Sequence, residues 1–255
     1  MKRPPTSVLS LAGSGETSTI DEDLRRRYLK LLDRHGYVYV TDVPDGFEYE
    51  KFLTAFGEPF PGPFGRTVDD IVPEAGMDDV YYAGNRKALL PHTEGYEREG
   101  LPPRYLVLWC VTPPTPHEGG ETTLYDAAPL LSALPPETER RLRETRYEWR
   151  AGEGLARLGR ARRATHPVLA AVDGTTVLRV SCNNMTIPAA DDPVHGFLAD
   201  VRRRFAAECV SIDYRRNDFV HWDNWRILHS RNAFRGATRH LRRMQISHAD
   251  ARASA

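Results

Sequence analysis

The chain has 255 residues, 40% hydrophobic and 27% charged, which excludes a peptide or a disulfide-stapled mini-protein and leaves room for one large domain or two small ones. Its 35 basic side chains balance 35 acidic ones, so no net field recruits nucleic acid. The longest apolar runs, such as 105–111, fall far short of the roughly 20 residues that cross a bilayer.

Lys2 and Arg3 open the chain, but only a short, weakly apolar patch follows at 8–12. No secretory leader is expected, and the cytoplasm is the expected compartment. Cys110, Cys182 and Cys209 form no CxxC pair and are read as reduced, mostly buried thiols.

Thr19 followed by Glu22 has the form of a capping box, and Leu24, Tyr28, Leu31 and Leu32 recur at helical spacing up to Gly36. Tyr37-Val38-Tyr39-Val40 then favours a buried strand, and 48–56 a second helix stopped by Gly57. Further on, short strands are expected at 80–83, 105–111, 122–125, 177–181, 219–222 and 241–247, separated by proline and glycine. Helices are expected at 136–145 and 194–210. The sum is a mainly β chain with flanking helices, an antiparallel jelly roll of the cupin-like, double-stranded β-helix kind. With no repeat and no Ser/Gly linker, 1–255 reads as a single domain, with 19–57 packed on the roll and 248–255 as a disordered tail. The stretch 147–165 stands apart, carrying Arg150, Arg157, Arg160, Arg162 and Arg163 among three glycines. A solvated, mobile loop and a lid over a site are both open readings.

His92-Thr93-Glu94 is the first candidate for chemistry. In an extended segment residues i and i+2 point to one side, so this imidazole and carboxylate reach a common metal ion. Alone the pattern is weak, as His117-Glu118 and His248-Ala249-Asp250 show. His229 is the best third ligand, with His221 the weaker competitor. Two histidines and one carboxylate leave open positions suited to non-haem Fe(II), with zinc the competing metal. Near the end, Arg239, Leu241, Arg243 and Gln245 alternate to one side of a strand, placing two guanidinium groups where a dicarboxylate could be gripped. The plainer alternative is a basic solvent face. Asp223 and Asn224 either close a turn or touch substrate; Asn85, Arg86 and Lys87 are candidates for the pocket mouth, and Asn183, Asn184 and Met185 for the substrate side. Trp109, Cys110, Trp222 and Trp225 are most simply core.

Taken in order, His92-x-Glu94, Leu108-Trp109-Cys110 through Gly119-Gly120-Glu121-Thr122, Trp222-Asp223-Asn224 to His229-x-Arg231, and Arg239 to Arg243 resemble the TauD/TfdA family of Fe(II)- and 2-oxoglutarate-dependent dioxygenases. The resemblance spans about 20–247. It implies that His92, Glu94 and His229 hold iron, that Thr122 and Arg239 share the distal carboxylate of 2-oxoglutarate, and that Arg243 lies near the keto-acid carboxylate and the substrate anion. Much of the family has aspartate where this chain has Glu94; glutamate is found in a branch resembling amino-acid hydroxylases and natural-product tailoring oxygenases. The extra methylene would let the carboxylate swing. Halogenases of the superfamily lack this carboxylate, so Glu94 favours oxygen transfer or desaturation.

The implied cofactors are Fe(II), 2-oxoglutarate and O2. The expected activity is hydroxylation of an unactivated C–H bond in a small polar metabolite, an amino acid or a biosynthetic intermediate, with release of succinate and CO2. Desaturation or cyclisation on the same centre is the alternative. A non-catalytic jelly-roll binding protein is the reading from another class, and Thr122 with Arg239 argues against it. No nucleic-acid or membrane partner is expected.

Overall fold

The computed structural model describes residues 3–12, 22–80, 82–236 and 238–248. Thr19, Asp250 and the expected tail beyond His248 lie outside the described residues.

Strand β1 (Val8–Ser10) runs parallel to β2 (Tyr37–Thr41), and helix α1 (Glu22–His35) joins the region between them. The helix begins with Glu22 and Asp23 and ends with Arg34 and His35, charges that complement its dipole. It stops where Gly36 takes φ +72°, a left-handed conformation that favours glycine. Helix α2 (Tyr49–Leu53) runs on as a 3-10 turn over Thr54–Phe56 and ends at Gly57.

The remaining elements are β3 (Val68–Ile71), β4 (Tyr105–Thr112), β5 (Thr122–Asp126), α3 (Ala128–Ser132), α4 (Pro136–Glu144), β6 (Tyr147–Arg150), α5 (Glu153–Arg157), β7 (Arg163–His166), β8 (Leu169–Val172), β9 (Thr175–Leu178), β10 (Met185–Thr186), α6 (Val194–Glu208), β11 (Val210–Ile212), β12 (Phe219–Asp223), β13 (Ile227–Arg231) and β14 (His240–Ile246). They build a major sheet in the order β1-β2-β12-β4-β14-β3 and a minor sheet in the order β11-β5-β13. These two sheets face each other as a jelly roll.

Side-chain alternation sorts the core into layers. Leu106, Leu108, Val220, Trp222 and Leu241 of the major sheet meet Leu124, Ile212 and Ile227 of the minor one. On the reverse of the major sheet, Val38, Val107, Trp109 and Phe219 pack on Tyr28, Leu32 and Leu53 of the helices. Strand β4 is therefore buried on both faces, which is why its sequence is continuously apolar. A third cluster places Trp149, Phe197 and Val201 against Tyr125 and Leu228 on the outer side of the minor sheet.

Several expectations need correction. Strand β2 is a member of the major sheet, paired with β12 at Val38↔His221, so 19–57 is not simply laid on the outside of the roll. The described residues of 80–83 form turn and coil, because Val80 and Ala83 spend their carbonyls on Asn85 and Arg231 side chains rather than on a ladder. Strand β3 was not expected at all. The arginine-rich segment is no loose loop: β6 pairs with β7 from Tyr147↔His166 to Arg150↔Arg163, and α5 bridges them. Arg157 pairs with Asp79 at 2.8 Å and Gly154 sits beneath the Tyr82 ring, docking the segment on Asp79 and Tyr82.

Cys110 and Cys182 are buried, Cys209 is partly buried, and all three are free thiols. Among the described residues no helix is long and apolar enough to cross a membrane.

Candidate metal and co-substrate site

The segment leading to His92 belongs to no sheet, yet it is fastened along its length to β13. Leu89 N–H donates to Arg231 O at 3.0 Å, and His92 and His229 exchange both main-chain hydrogen bonds, at 3.0 and 2.9 Å. Residues paired in this way stand directly opposite each other and turn their side chains to one face. Their imidazole centroids are accordingly 4.2 Å apart. Thr93 points the other way, wholly buried, where its Oγ1 accepts the Val180 N–H at 3.1 Å. Glu94 therefore returns to the side of His92, and its Oε2 lies 3.8 Å from His229 Nε2. One ligand atom from each of the three residues falls within 4.8 Å of the others.

Asn224 fixes Glu94 from behind. Its Oδ1 accepts the Glu94 N–H at 2.7 Å, while Nδ2 donates to Glu94 O at 3.0 Å and Pro103 O at 2.9 Å. Asp223 closes the turn by accepting the Trp225 N–H at 2.9 Å and pairs with Arg104 at 2.7 Å. Of the two roles open to these residues, the turn is the one observed, and Asn224 adds a clamp on a main chain 130 residues away.

The ionisation of the histidines suits metal ligation, which takes neutral imidazole. Burial lowers the pKa of His92, with Glu94 pulling the other way. Burial lowers His229 further, and His92 and Arg243 add to the effect. His92 Nδ1 lies 2.8 Å from Leu90 O, which assigns the proton to that nitrogen and leaves the Nε2 lone pair free. His229 Nδ1 is buried without a hydrogen-bond partner among the described residues. Two neutral imidazoles and a carboxylate on one wall of a cavity are a donor set that fits a divalent ion such as Fe(II) with positions left open.

The same cavity is lined by Thr122, Arg239 and Arg243, and closed by Leu106, Leu108 and Trp222. Arg239 is only 3% exposed and donates from Nε to Gly120 O at 2.8 Å. Burial holds its pKa down to about 10, still above neutrality, so the guanidinium stays charged. The Gly119-Gly120 pair explains the close fit. Both glycines have positive φ, and a Cβ on Gly119 would stand 2.0 Å from Ala233 O, while one on Gly120 would meet Arg239 Cδ at 3.1 Å. Thr122 Oγ1 receives the Tyr214 hydroxyl at 3.1 Å.

Arg243 does not have both arms free for an anion. Its Nη1 contacts Glu94 Oε1 at 3.1 Å and its Nη2 contacts Asp69 Oδ2 at 3.0 Å. Burial opposes its charge, but Glu94 and Asp69 outweigh that and raise its pKa. Other candidates fall elsewhere. His221 is a buried member of β12, with Nδ1 2.6 Å from Tyr28 O–H. Asn85 is buried against Arg231 at 2.7 Å, Arg86 pairs with Asp78 at 2.8 Å, and Lys87 is exposed. Asn184 donates to Tyr96 O–H at 2.7 Å, Met185 packs on the outer core, and neither they nor Asn183 line the cavity. Asn224 as a clamp, Asp69 as a partner of Arg243, and Arg231 as the tie to 83–87 were not recognised from sequence. His229-x-Arg231 was visible as a motif, but nothing marked what the arginine binds.

Residues 11–245 match the Taurine catabolism dioxygenase TauD, TfdA family. The chain belongs to that family. This TauD/TfdA chain is thus an oxidoreductase, an oxygenase dependent on Fe(II), 2-oxoglutarate and O2. It is similar to tyrosine isonitrile desaturase of Pseudomonas aeruginosa, with 28% identity over 249 residues, covering 88% of this chain and 82% of the relative. Among solved structures, asparagine oxygenase in complex with Fe(II), 2S,3S-3-hydroxyasparagine and succinate aligns with a TM-score of 0.74 at 20% identity, over 91% of this TauD/TfdA chain and 81% of that one. The non-heme iron oxygenase OrfP with Fe and alpha-ketoglutaric acid aligns with a TM-score of 0.66 at 24% identity, over 90% and 80%. Both share the fold.

Proposed function

We propose that His92, Glu94 and His229 hold the iron of this oxygenase, that Arg239 with Thr122 binds the distal carboxylate of 2-oxoglutarate, and that the enzyme hydroxylates an amino acid or an intermediate built from one. The observation that carries the reading is the convergence of three ligand atoms within 4.8 Å beside a buried arginine.

Iron bound there, with 2-oxoglutarate and O2, supplies oxidation of an unactivated C–H bond coupled to conversion of the keto acid to succinate and CO2. The chain's own residues prepare the site for it. Arg239 offers a charged fork to a carboxylate in a place from which water is excluded. Trp222, Leu106 and Leu108 keep the inner chamber apolar, which protects a reactive centre from water. Arg243 holds Glu94 Oε1, so that Oε2 is the oxygen left facing His229, and this restrains the swing that the longer side chain would otherwise allow.

An amino-acid substrate is supported by the names of the similar proteins, among them the oxygenase solved with hydroxyasparagine. Desaturation is the second reading, favoured by the likeness to a desaturase. Free thiols and a balanced charge support action in the cytoplasm as one domain on a small molecule.

Anaerobic addition of Fe(II) and 2-oxoglutarate is expected to produce the weak visible charge-transfer band of the chelate. His229→Ala should abolish both the band and iron-dependent succinate release. Retained turnover in that variant would move the third ligand elsewhere.

A further inference from the structure

Beside the inner chamber lies a second one that shares His92, Glu94 and Arg243 as its wall. A molecule filling this outer chamber therefore abuts the candidate iron ligands. Five carboxylates line it, Asp69, Asp70, Glu74, Glu94 and Glu97, against the guanidinium groups of Arg66 and Arg243. Four of those carboxylates are already occupied. Arg243 takes Asp69 and Glu94, His240 and Arg242 take Asp70, and the Tyr82 hydroxyl donates to Glu74 at 3.1 Å.

Glu97 is different. It is 8% exposed and lines the chamber; its own main-chain N–H donates to its carboxylate, but among the described residues no side chain of another residue forms a hydrogen bond or ion pair with it. Arg98 and Arg162, which line a neighbouring cleft with Glu97, favour its charge without forming an ion pair with it, and Arg98 also donates to Pro61 O at 2.7 Å and lies 4.7 Å over the Phe60 ring. A carboxylate withdrawn from water without a partner is costly, and the cost is recovered when a cation arrives. Burial, and then Glu94, raise the Glu97 pKa, while its own N–H, Arg98 and Arg162 offset only part of that rise. Tyr82, Tyr96 and Leu155 supply apolar and aromatic walls beside it, suited to the hydrocarbon that carries such a cation.

We propose that the substrate presents a cationic nitrogen, an ammonium or a guanidinium, to the Glu97 carboxylate in the outer chamber, which thereby sets substrate choice. This rests on the iron-oxygenase reading above, because it places the rest of the substrate against His92 and Glu94. Glu97 then acts as a specificity determinant by binding, with no part in the oxidation itself. The gain is discrimination: a neutral analogue would leave the buried carboxylate unpaired.

The test uses the full-length protein with Fe(II) and 2-oxoglutarate under anaerobic conditions, reading both the chelate band and calorimetric binding. Three pairs of probes differ in one charge: L-arginine with L-citrulline, L-lysine with Nε-acetyl-L-lysine, and L-leucine with N-acetyl-L-leucine. At least one cationic member should bind about tenfold or more tightly than its uncharged partner. Glu97→Gln should keep the chelate band and lose that preference. The charge pairs judge the proposal in wild-type protein even if the variant fails to fold. If no cationic probe binds, if each partner binds equally, or if Glu97→Gln discriminates like wild type, the inference is overturned while the iron reading stands. Absence of the chelate band in folded wild-type protein overturns the iron reading and this inference with it.

Discussion

Asn224 holds the main chain of Glu94 on both of its polar groups, accepting from N–H at 2.7 Å and donating to C=O at 3.0 Å. The carboxylate that faces the two imidazoles is thus positioned by a side chain that never touches them. Asn224→Ala should weaken Fe(II) binding by about 10- to 100-fold, the usual effect of removing a support of a metal ligand. Equilibrium binding of Fe(II) or Co(II) checks it. Unchanged affinity in a folded variant would make the clamp irrelevant to the site.

Arg239 is expected to govern the keto acid and not the metal. Replacement by lysine keeps a charge but loses the fork, and replacement by alanine loses both. The concentration of 2-oxoglutarate for half-maximal succinate release should rise by roughly 10- to 100-fold in Arg239→Ala, less in Arg239→Lys, with Fe(II) affinity retained. Equal loss of iron binding in both variants would contradict the assignment.

Helices α1, α2, α4 and α6 and the long apolar strands of this chain are legible in the sequence because their pattern is local, whereas the short helices α3 and α5 are not. Leu24, Tyr28 and Leu32 mark α1, and the run 105–111 marks β4 because that strand is buried on both faces. Strand β3 was not legible. Its Asp69 and Asp70 resemble a loop until Arg243 and Arg242 are known to lie across from them at Arg243↔Asp69 and Arg242↔Asp70. Val80, Tyr82 and Ala83 mislead for the converse reason: Ala83 O accepts from Arg231 of β13 and the Tyr82 ring covers Gly154 of α5, with no ladder to join. At the site, His92, Glu94 and His229 converge as the motif order implied. Asn224 is legible as a turn or substrate residue but not as a clamp on Glu94, and Glu97 carries no signal in sequence, because both depend on groups distant along the chain, which spacing does not encode.

His221 is expected to make the fold sensitive to acid. Burial lowers its pKa from 6.5 to about 3. Between these values the unfolded chain binds a proton that the folded chain refuses, so stability falls as pH drops through this window and levels off below it. The slope contributed is at most about 1.4 kcal/mol per pH unit. Metal-free His92 and His229, whose values are also lowered, act in the same direction. Denaturant unfolding from pH 7 to pH 4 should show a shallower decline in His221→Gln than in wild type. Parallel curves would show that other groups control the loss.

Gly119 and Gly100 offer a matched comparison. Both have positive φ, +90° and +70°, but a Cβ would collide with Ala233 O at 2.0 Å in the first and meet nothing within 4 Å in the second. Gly119→Ala should therefore cost about 1–3 kcal/mol beyond Gly100→Ala and also weaken 2-oxoglutarate binding, since the displaced loop carries Thr122. Thermal denaturation with a keto-acid titration measures both. Equal melting temperatures would sink the steric account.

The two imidazoles owe their placement to the exchange of main-chain hydrogen bonds between residues 92 and 229, which an alanine at either position would preserve. An alanine at either position should thus keep the main-chain frame while removing one proposed iron ligand. Such a protein would bind the native compound reversibly without consuming it, and could enrich that compound from a cell extract.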